Sequence, residues 1–156
     1  MASKLLSSLG AALAVTLAVT GARATTSCSF TTVVGVAFGT YDVFSTSPLD
    51  STGSVTVLCT GVGPSDTIVI DMSRGNASSF GPRQMLRGGT ALDYNLFLDA
   101  ARTTVWGDGT SGTSHYGPTM PPSGVGLTVP IYGRIPARQN AAAGAYSDTL
   151  VVTIVF

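Results

Sequence analysis

Asp108, Ser111, His115 and Tyr116 lie together in the stretch WGDGTSGTSHYG, beside Trp106, the single tryptophan of the chain. A serine nucleophile, a histidine base and an aspartate orienter are the parts of a hydrolytic triad. The spacing here fits no nucleophile elbow of the G-x-S-x-G kind, and a polar loop with one histidine is ordinary in a β-rich domain. No catalytic residue is assigned, and the chain is read as non-enzymatic. A calcium site at DGTSG would need several convergent oxygen ligands, of which Asp108 is one. Two cysteines and the lone His115 are too few for a structural zinc site. No metal, cofactor or small-molecule substrate is therefore expected. What this loop suits is contact: Trp106, His115 and Tyr116 are candidate surface-recognition residues, because loops at the ends of a rigid scaffold carry recognition. The alternative for Trp106 is packing into the core from the end of a strand.

The elements that must position these residues begin after a leader. The first residues, MASKLLSSLGAALAVTLAVTGARA, carry Lys4, an apolar run from Leu9 to Val19 and an A-x-A-like site at Ala22–Ala24. This predicts a secretory signal peptide over residues 1–24, leaving a domain over 25–156. A retained anchor is the rival reading, but the run is short for a membrane-spanning helix. Without the leader the chain has six basic and eight acidic residues, a formal charge of −2, and every acid is aspartate. The domain contains no lysine and no glutamate. Two strong helix formers are thus missing, and Thr, Val, Ser and Gly favour strands and turns. No basic tract marks a nucleic-acid partner.

Secretion puts Cys28 and Cys59 where disulfides persist, and two cysteines allow one pairing. Such a bond closes a loop of about 32 residues and stabilises by roughly 3–4 kcal/mol on the chain-entropy model.

The chain shows no repeat, linker or long helical period. CSFTTVVGVAFG reads as a strand broken at Gly35, GSVTVLCT as a cleanly alternating strand, and DTIVIDMS as another. ALDYNLFLDA and TTVWGD read as strands. RGNASSFGPRQML and GDGTSGTSHYGPTMPPSG read as loops from their Gly, Asn and Pro content. Pro130 makes VGLTVPIYGRIP an edge or bulged strand. Ala141–Ala143 has room for one helical turn. About seven short strands with regular turn signals predict an all-β fold, an immunoglobulin-like antiparallel β-sandwich, with a small closed barrel as the alternative. Arg134 and Asp148 are a candidate cross-strand pair, and Asn76–Ser78 matches a glycosylation sequon.

The last stretch, GAYSDTLVVTIVF, alternates to its final residue. Tyr146, Leu150, Val152, Ile154 and Phe156 share one face, yet the opposite face is also apolar in part. Exposed edges are blunted by charge, Pro or bulges, and TLVVTIVF carries none. Either this is a central strand paired on both sides, or its outer partner belongs to another chain.

Cys28, FGTYD at Phe38–Asp42, SPLDSTGSVTVLCT at Ser47–Thr60, LDYNLFLDAARTTVWGDGT at Leu92–Thr110, YGRIPARQ at Tyr132–Gln139 and the terminal GAYSDTLVVTIVF stand in an order and spacing that resemble the spore coat protein U family. That family includes subunits of archaic, Csu-type chaperone–usher pili. The resemblance implies an incomplete immunoglobulin-like sandwich lacking its last strand, with Cys28–Cys59 joining the first strand to the second. It implies a donor-strand groove along Tyr146, Leu150, Val152, Ile154 and Phe156. A periplasmic pilus chaperone fills this groove first and a neighbouring pilin subunit later, with assembly through an usher. The implied place is the cell surface, reached through the periplasm, with a role in adhesion, biofilm or coat formation. Family members carry a donor segment before the first cysteine. Here only Thr25–Ser27 separates the cleavage site from Cys28, too short for a groove-filling strand. The expectation is an acceptor at the end of a fibre. The alternative is a self-complete monomeric spore-coat or ligand-binding sandwich.

Overall fold

The computed structural model describes residues 25–156, so the signal-peptide reading lies outside the described residues. Eight strands follow one another: β1 (Ser27–Val34), β2 (Leu49–Thr60), β3 (Ile68–Met72), β4 (Arg83–Arg87), β5 (Thr90–Phe97), β6 (Tyr116–Thr119), β7 (Gly126–Ile135) and β8 (Val152–Val155). They form an antiparallel five-stranded sheet in the order β1-β2-β7-β5-β4 and a three-stranded sheet in the order β6-β3-β8. The period-two pattern decides which side chains meet between the sheets. Val55, Val57 and Cys59 of β2, Ile68, Ile70 and Met72 of β3, Leu92, Tyr94 and Leu96 of β5, and Val129, Ile131 and Ile135 of β7 are buried. Each fully buried aliphatic side chain contributes about 1.5–3 kcal/mol.

The order β1-β2-β7-β5 occupies the places that an immunoglobulin constant domain gives to strands A-B-E-D, and β3-β8 those of C-F. In such a domain the F strand has a further neighbour, G. Among the described residues no strand lies outside β8. Among the described residues the sandwich thus has no counterpart of strand G.

Several sequence expectations change. RQMLR is a strand, not loop: β4 turns back onto β5 with Arg87 opposite Thr90. Gly88-Gly89 makes the two-residue turn, with Gly88 at φ +56°. YGPT forms β6, a short strand on the outside of β3. TTVWGD is not a strand and contributes only isolated bridges at Val105 and Trp106. β7 is central rather than an edge, but β5 pairs with it only over Tyr132–Arg134. At Pro130 its ladder partner is Ser54 of β2, so the missing N–H costs no bond to β5. Ala141–Ala143 forms no helical turn, and no helix among the described residues is long and apolar enough to cross a membrane.

Candidate functional site

The groove is built from the unfinished side upward. β8 pairs with β3 from Val69↔Val155 to Met72↔Val152 and, among the described residues, has no ladder on its other edge. Its inward residues Val152 and Ile154 pack on the core but are only half-buried. The equivalent residues of β3, one strand further in, are at most 1% exposed. Nearby, Val33, Val34, Val151, Val155 and Phe156 are all more than half exposed, an unusual run of bare apolar side chains.

Two cavities continue this side inward. One, of about 330 Å³, lies between the end of β1 and the residues just after it (Val33, Val36), the sandwich interior (Met72, Leu96, Ile131) and the C-terminal segment (Leu150, Val152). The other, of about 810 Å³, lies between the β1–β2 connection and Ala141–Tyr146. Val36, Met85 and Tyr146 border both. The segment after β1 is seated on glycine. A Cβ on Gly133 would stand 2.6 Å from Val36 Cγ1 and 2.7 Å from Phe38 Cζ.

The five residues expected along the groove are therefore placed unevenly. Tyr146, Leu150 and Val152 line it, Ile154 lies half-buried on β8, and Phe156 is 59% exposed beyond the end of that strand. The regular strand expected from Tyr146 onward is confined to Val152–Val155, because the preceding residues change sheets. Ser147 exchanges backbone hydrogen bonds with Leu86 of β4 at 2.8 and 3.1 Å. Cys28 and Cys59 are joined by a disulfide across the β1–β2 ladder, where they are register partners.

Trp106 is not a surface residue. It is fully buried, and its Nε1–H donates to the Ile70 carbonyl at 2.9 Å. Burial of the indole outweighs its position in a Gly-rich loop. Tyr116 is half-buried, its ring 6.3 Å from that of Trp106. His115 stays partly open, with Nδ1 3.5 Å from Asp71 Oδ1, so its nearest acid is on β3 and not in its own loop. Asp108 accepts hydrogen bonds from the N–H and hydroxyl of Thr110. Those bonds turn the loop and hold the carboxyl below its ordinary range.

Arg134 pairs with Asp50 and not with Asp148, because Asp50 and Arg134 face each other in the β2–β7 register. The contact is a two-pronged fork at 2.7 and 2.9 Å. Asp148 instead accepts from the Tyr94 hydroxyl at 2.7 Å and from Asn76 N–H at 2.9 Å. Asn76, the sequon asparagine, is thus tied to the groove wall through its backbone. One buried charge nearby has no signal in the sequence. Arg83 is fully buried, donating to the carbonyls of Met72, Ser73 and Trp106 and to Asn95 Oδ1. Burial pushes its pKa down to about 10.

The Spore Coat Protein U domain family model matches residues 13–153. Protein U of Myxococcus xanthus is 38% identical over 134 residues, covering 76% of this chain and 70% of that protein. In fold the domain is similar to a chain in the crystal structure of the CsuC–CsuE chaperone–tip adhesion subunit pre-assembly complex from the archaic chaperone–usher Csu pili of Acinetobacter baumannii. That similarity has a TM-score of 0.57 at 21% identity and covers 85% of this chain, which spans 40% of the matched chain. A match over most of the sequence, a relative this close and an all-strand sandwich open beside its last strand lead to one conclusion: the chain belongs to the Spore Coat Protein U domain family.

Proposed function

We propose that this domain is a non-enzymatic structural subunit of a chaperone–usher pilus or surface coat, and that it works by accepting a strand from another chain alongside β8. The observation that carries the reading is the contrast between β3, sealed on its inner face, and β8, unpaired on its outer edge with Val152 and Ile154 half-buried. Strand addition gains affinity from main-chain bonds and specificity from pockets for alternate side chains. Here the backbone from Leu150 to Phe156 supplies the bonds. Tyr146, Leu150, Val152 and Ile154, with the two cavities, supply the pockets. A periplasmic chaperone lends the first strand and a neighbouring subunit replaces it, at an usher, on the way to the cell surface.

Cleavage after Ala24 leaves Thr25–Ser27 ahead of Cys28, which makes the domain an acceptor without a donor and places it at a fibre end, in adhesion or biofilm formation. One observation favours a second reading. The family match begins at residue 13, inside the stretch read as signal peptide. There Leu13, Val15, Leu17 and Val19 alternate with Ala14, Thr16, Ala18 and Thr20. Cleavage near Gly10 would leave this stretch as a donor strand and make the subunit part of the shaft. Mass spectrometry of the processed N-terminus decides between the two positions.

The test of strand acceptance is recovery of the domain with and without an apolar alternating peptide or a co-expressed chaperone. Stable, monodisperse protein only in their presence is the expected result. A rigid monomer that gains no amide protection at Leu150–Phe156 on addition of the peptide would overturn the proposal in favour of a self-complete coat or ligand-binding module.

A further inference from the structure

The C-terminal segment reaches β8 by crossing between sheets. At Ser147 it is paired with Leu86 of the five-stranded sheet, and from Val152 it is paired with β3 of the other. Residues 148–151 make the crossing, and polar groups hold both ends of it. Asp148 Oδ2 accepts from Tyr94 Oη at 2.7 Å, and Oδ1 accepts from Asn76 N–H at 2.9 Å. At the far end Ser73 N–H donates to the Val151 carbonyl, and Val151 N–H donates to Ser73 Oγ, both at 2.9 Å. Gly75, at φ +66°, leaves room for the carboxylate: a Cβ there would stand 2.6 Å from Asp148 Cγ. Tyr94 is 4% exposed on β5. Burial, with Asp148 beside it, drives its pKa far up, so the hydroxyl remains a donor. Tyr94 and Asp148 both line the smaller cavity, with Leu150 and Val152.

We propose that Asp148, held between Tyr94 and the Gly75–Asn76 turn, is the positioning residue that sets the register of the groove wall. The inference rests on the strand-accepting reading for its purpose, but its geometry is independent of any occupant. β8 has four paired residues and, among the described residues, no outer neighbour, so its own ladder specifies register weakly. A slip of one residue turns every side chain to the opposite face. It would carry Leu150, Val152 and Ile154 out of the groove and Val151, Thr153 and Val155 into it. The latch fixes the chain four residues before β8 begins and so selects which apolar set an incoming strand meets.

The test reads register directly on the full secreted domain. Val69 and Val155 are ladder partners on the outer face of the three-stranded sheet. Cysteines at Val69 and Val155 report the native register, and cysteines at Val69 and Phe156 report a one-residue slip. With the latch intact, oxidation should join the first pair and leave the second largely open. Asp148→Ala should move the ratio toward the slipped pair by about tenfold, the effect of a lost hydrogen bond to a charged group. Asp148→Asn should restore it in part, since the amide oxygen still accepts from Asn76 N–H while the Tyr94 hydroxyl loses its charged acceptor. Tyr94→Phe serves as the second variant if Asp148→Ala does not fold. An unchanged ratio in whichever variant folds overturns the proposal, as does a ratio that Asp148→Asn fails to rescue. A Leu/Thr-alternating peptide added to the same proteins separates the two ideas. Failure of that peptide to protect the wild-type β8 would sink strand acceptance, while the cross-linking ratio would still score the latch.

Discussion

Arg83 takes all its partners from neutral acceptors: three backbone carbonyls and the Asn95 amide oxygen, with its guanidinium also 5.1 Å above the Phe80 ring. It joins the end of β3, β5 and the Trp106 turn in one place. Arg83→Met would leave those acceptors dry at about 1–3 kcal/mol each, offset in part by removal of a buried charge. The expected net loss is at least about 2 kcal/mol in urea denaturation at neutral pH, followed through the fluorescence of the single tryptophan next to the lost contact. Asp50 makes the second residue-scale prediction. The hydrogen bond from Arg134, with Arg102 3.2 Å away, holds its carboxyl below the ordinary range. A depressed carboxylate adds stability that is fully present above its unfolded pKa and is lost as pH falls through the folded one. The denaturation midpoint should therefore be flat from neutral pH down to the ordinary aspartate value of about 3.9 and fall below it. Asp50→Asn should lower the neutral plateau and shrink the acid fall. Because the pair is a third exposed, the effect is small, about 1 kcal/mol or less.

At the scale of elements, what the sequence revealed follows from how local each signal is. Alternation in GSVTVLCT and DTIVIDMS found β2 and β3 because inward positions there are uniformly apolar. β4 escaped because its inward Arg83 breaks the apolar pattern, although the Gly88-Gly89 turn was a readable hairpin sign. Trp106 and Tyr116 sit in a Gly-rich run, so only tertiary packing shows that one is core and the other half-buried. Alternation in the terminal stretch leaves open whether its outer partner lies in the domain or in another chain, and its crossing between sheets depends on Asp148 meeting Tyr94, a contact that no spacing displays. The seat of the β1–β2 connection was equally invisible, and it gives a prediction at this scale. A Cβ on Gly133 would press on side chains, Val36 and Phe38, which can rotate. One on Gly53 would press on the Val34 carbonyl oxygen, which is backbone. Gly53→Ala should cost more than Gly133→Ala, both within the roughly 1–3 kcal/mol of an overpacked site. Paired thermal denaturation scans check the order. Equal losses would mean that the connection moves as a unit.

For the whole molecule, the proposed strand acceptance at β8 can be tested in cis. β8 ends at Val155, and Phe156 follows it. A two-residue Asn-Gly turn placed after Phe156 would bring an added strand back antiparallel along the open edge. An added strand of alternating Leu and Thr would then pair with β8 and cover Val152 and Ile154. Tethering gives such a strand an effective concentration on the order of mM. A tethered strand that binds with a dissociation constant a hundredfold lower would stabilise the domain by about 2.7 kcal/mol. The extended protein should melt at a higher temperature, lose the dye binding that marks bare apolar surface, and show slowed amide exchange along β8. The control is the same extension with its leucines replaced by serine, which keeps the backbone bonds and removes the side chains that fill the cavities. If affinity comes from the ladder and specificity from the pockets, the serine version should retain a minor part of the gain. A serine version as stable as the leucine version would mean that the cavities play no part in choosing the strand, and an unchanged melting temperature in both would mean that the edge of β8 accepts none.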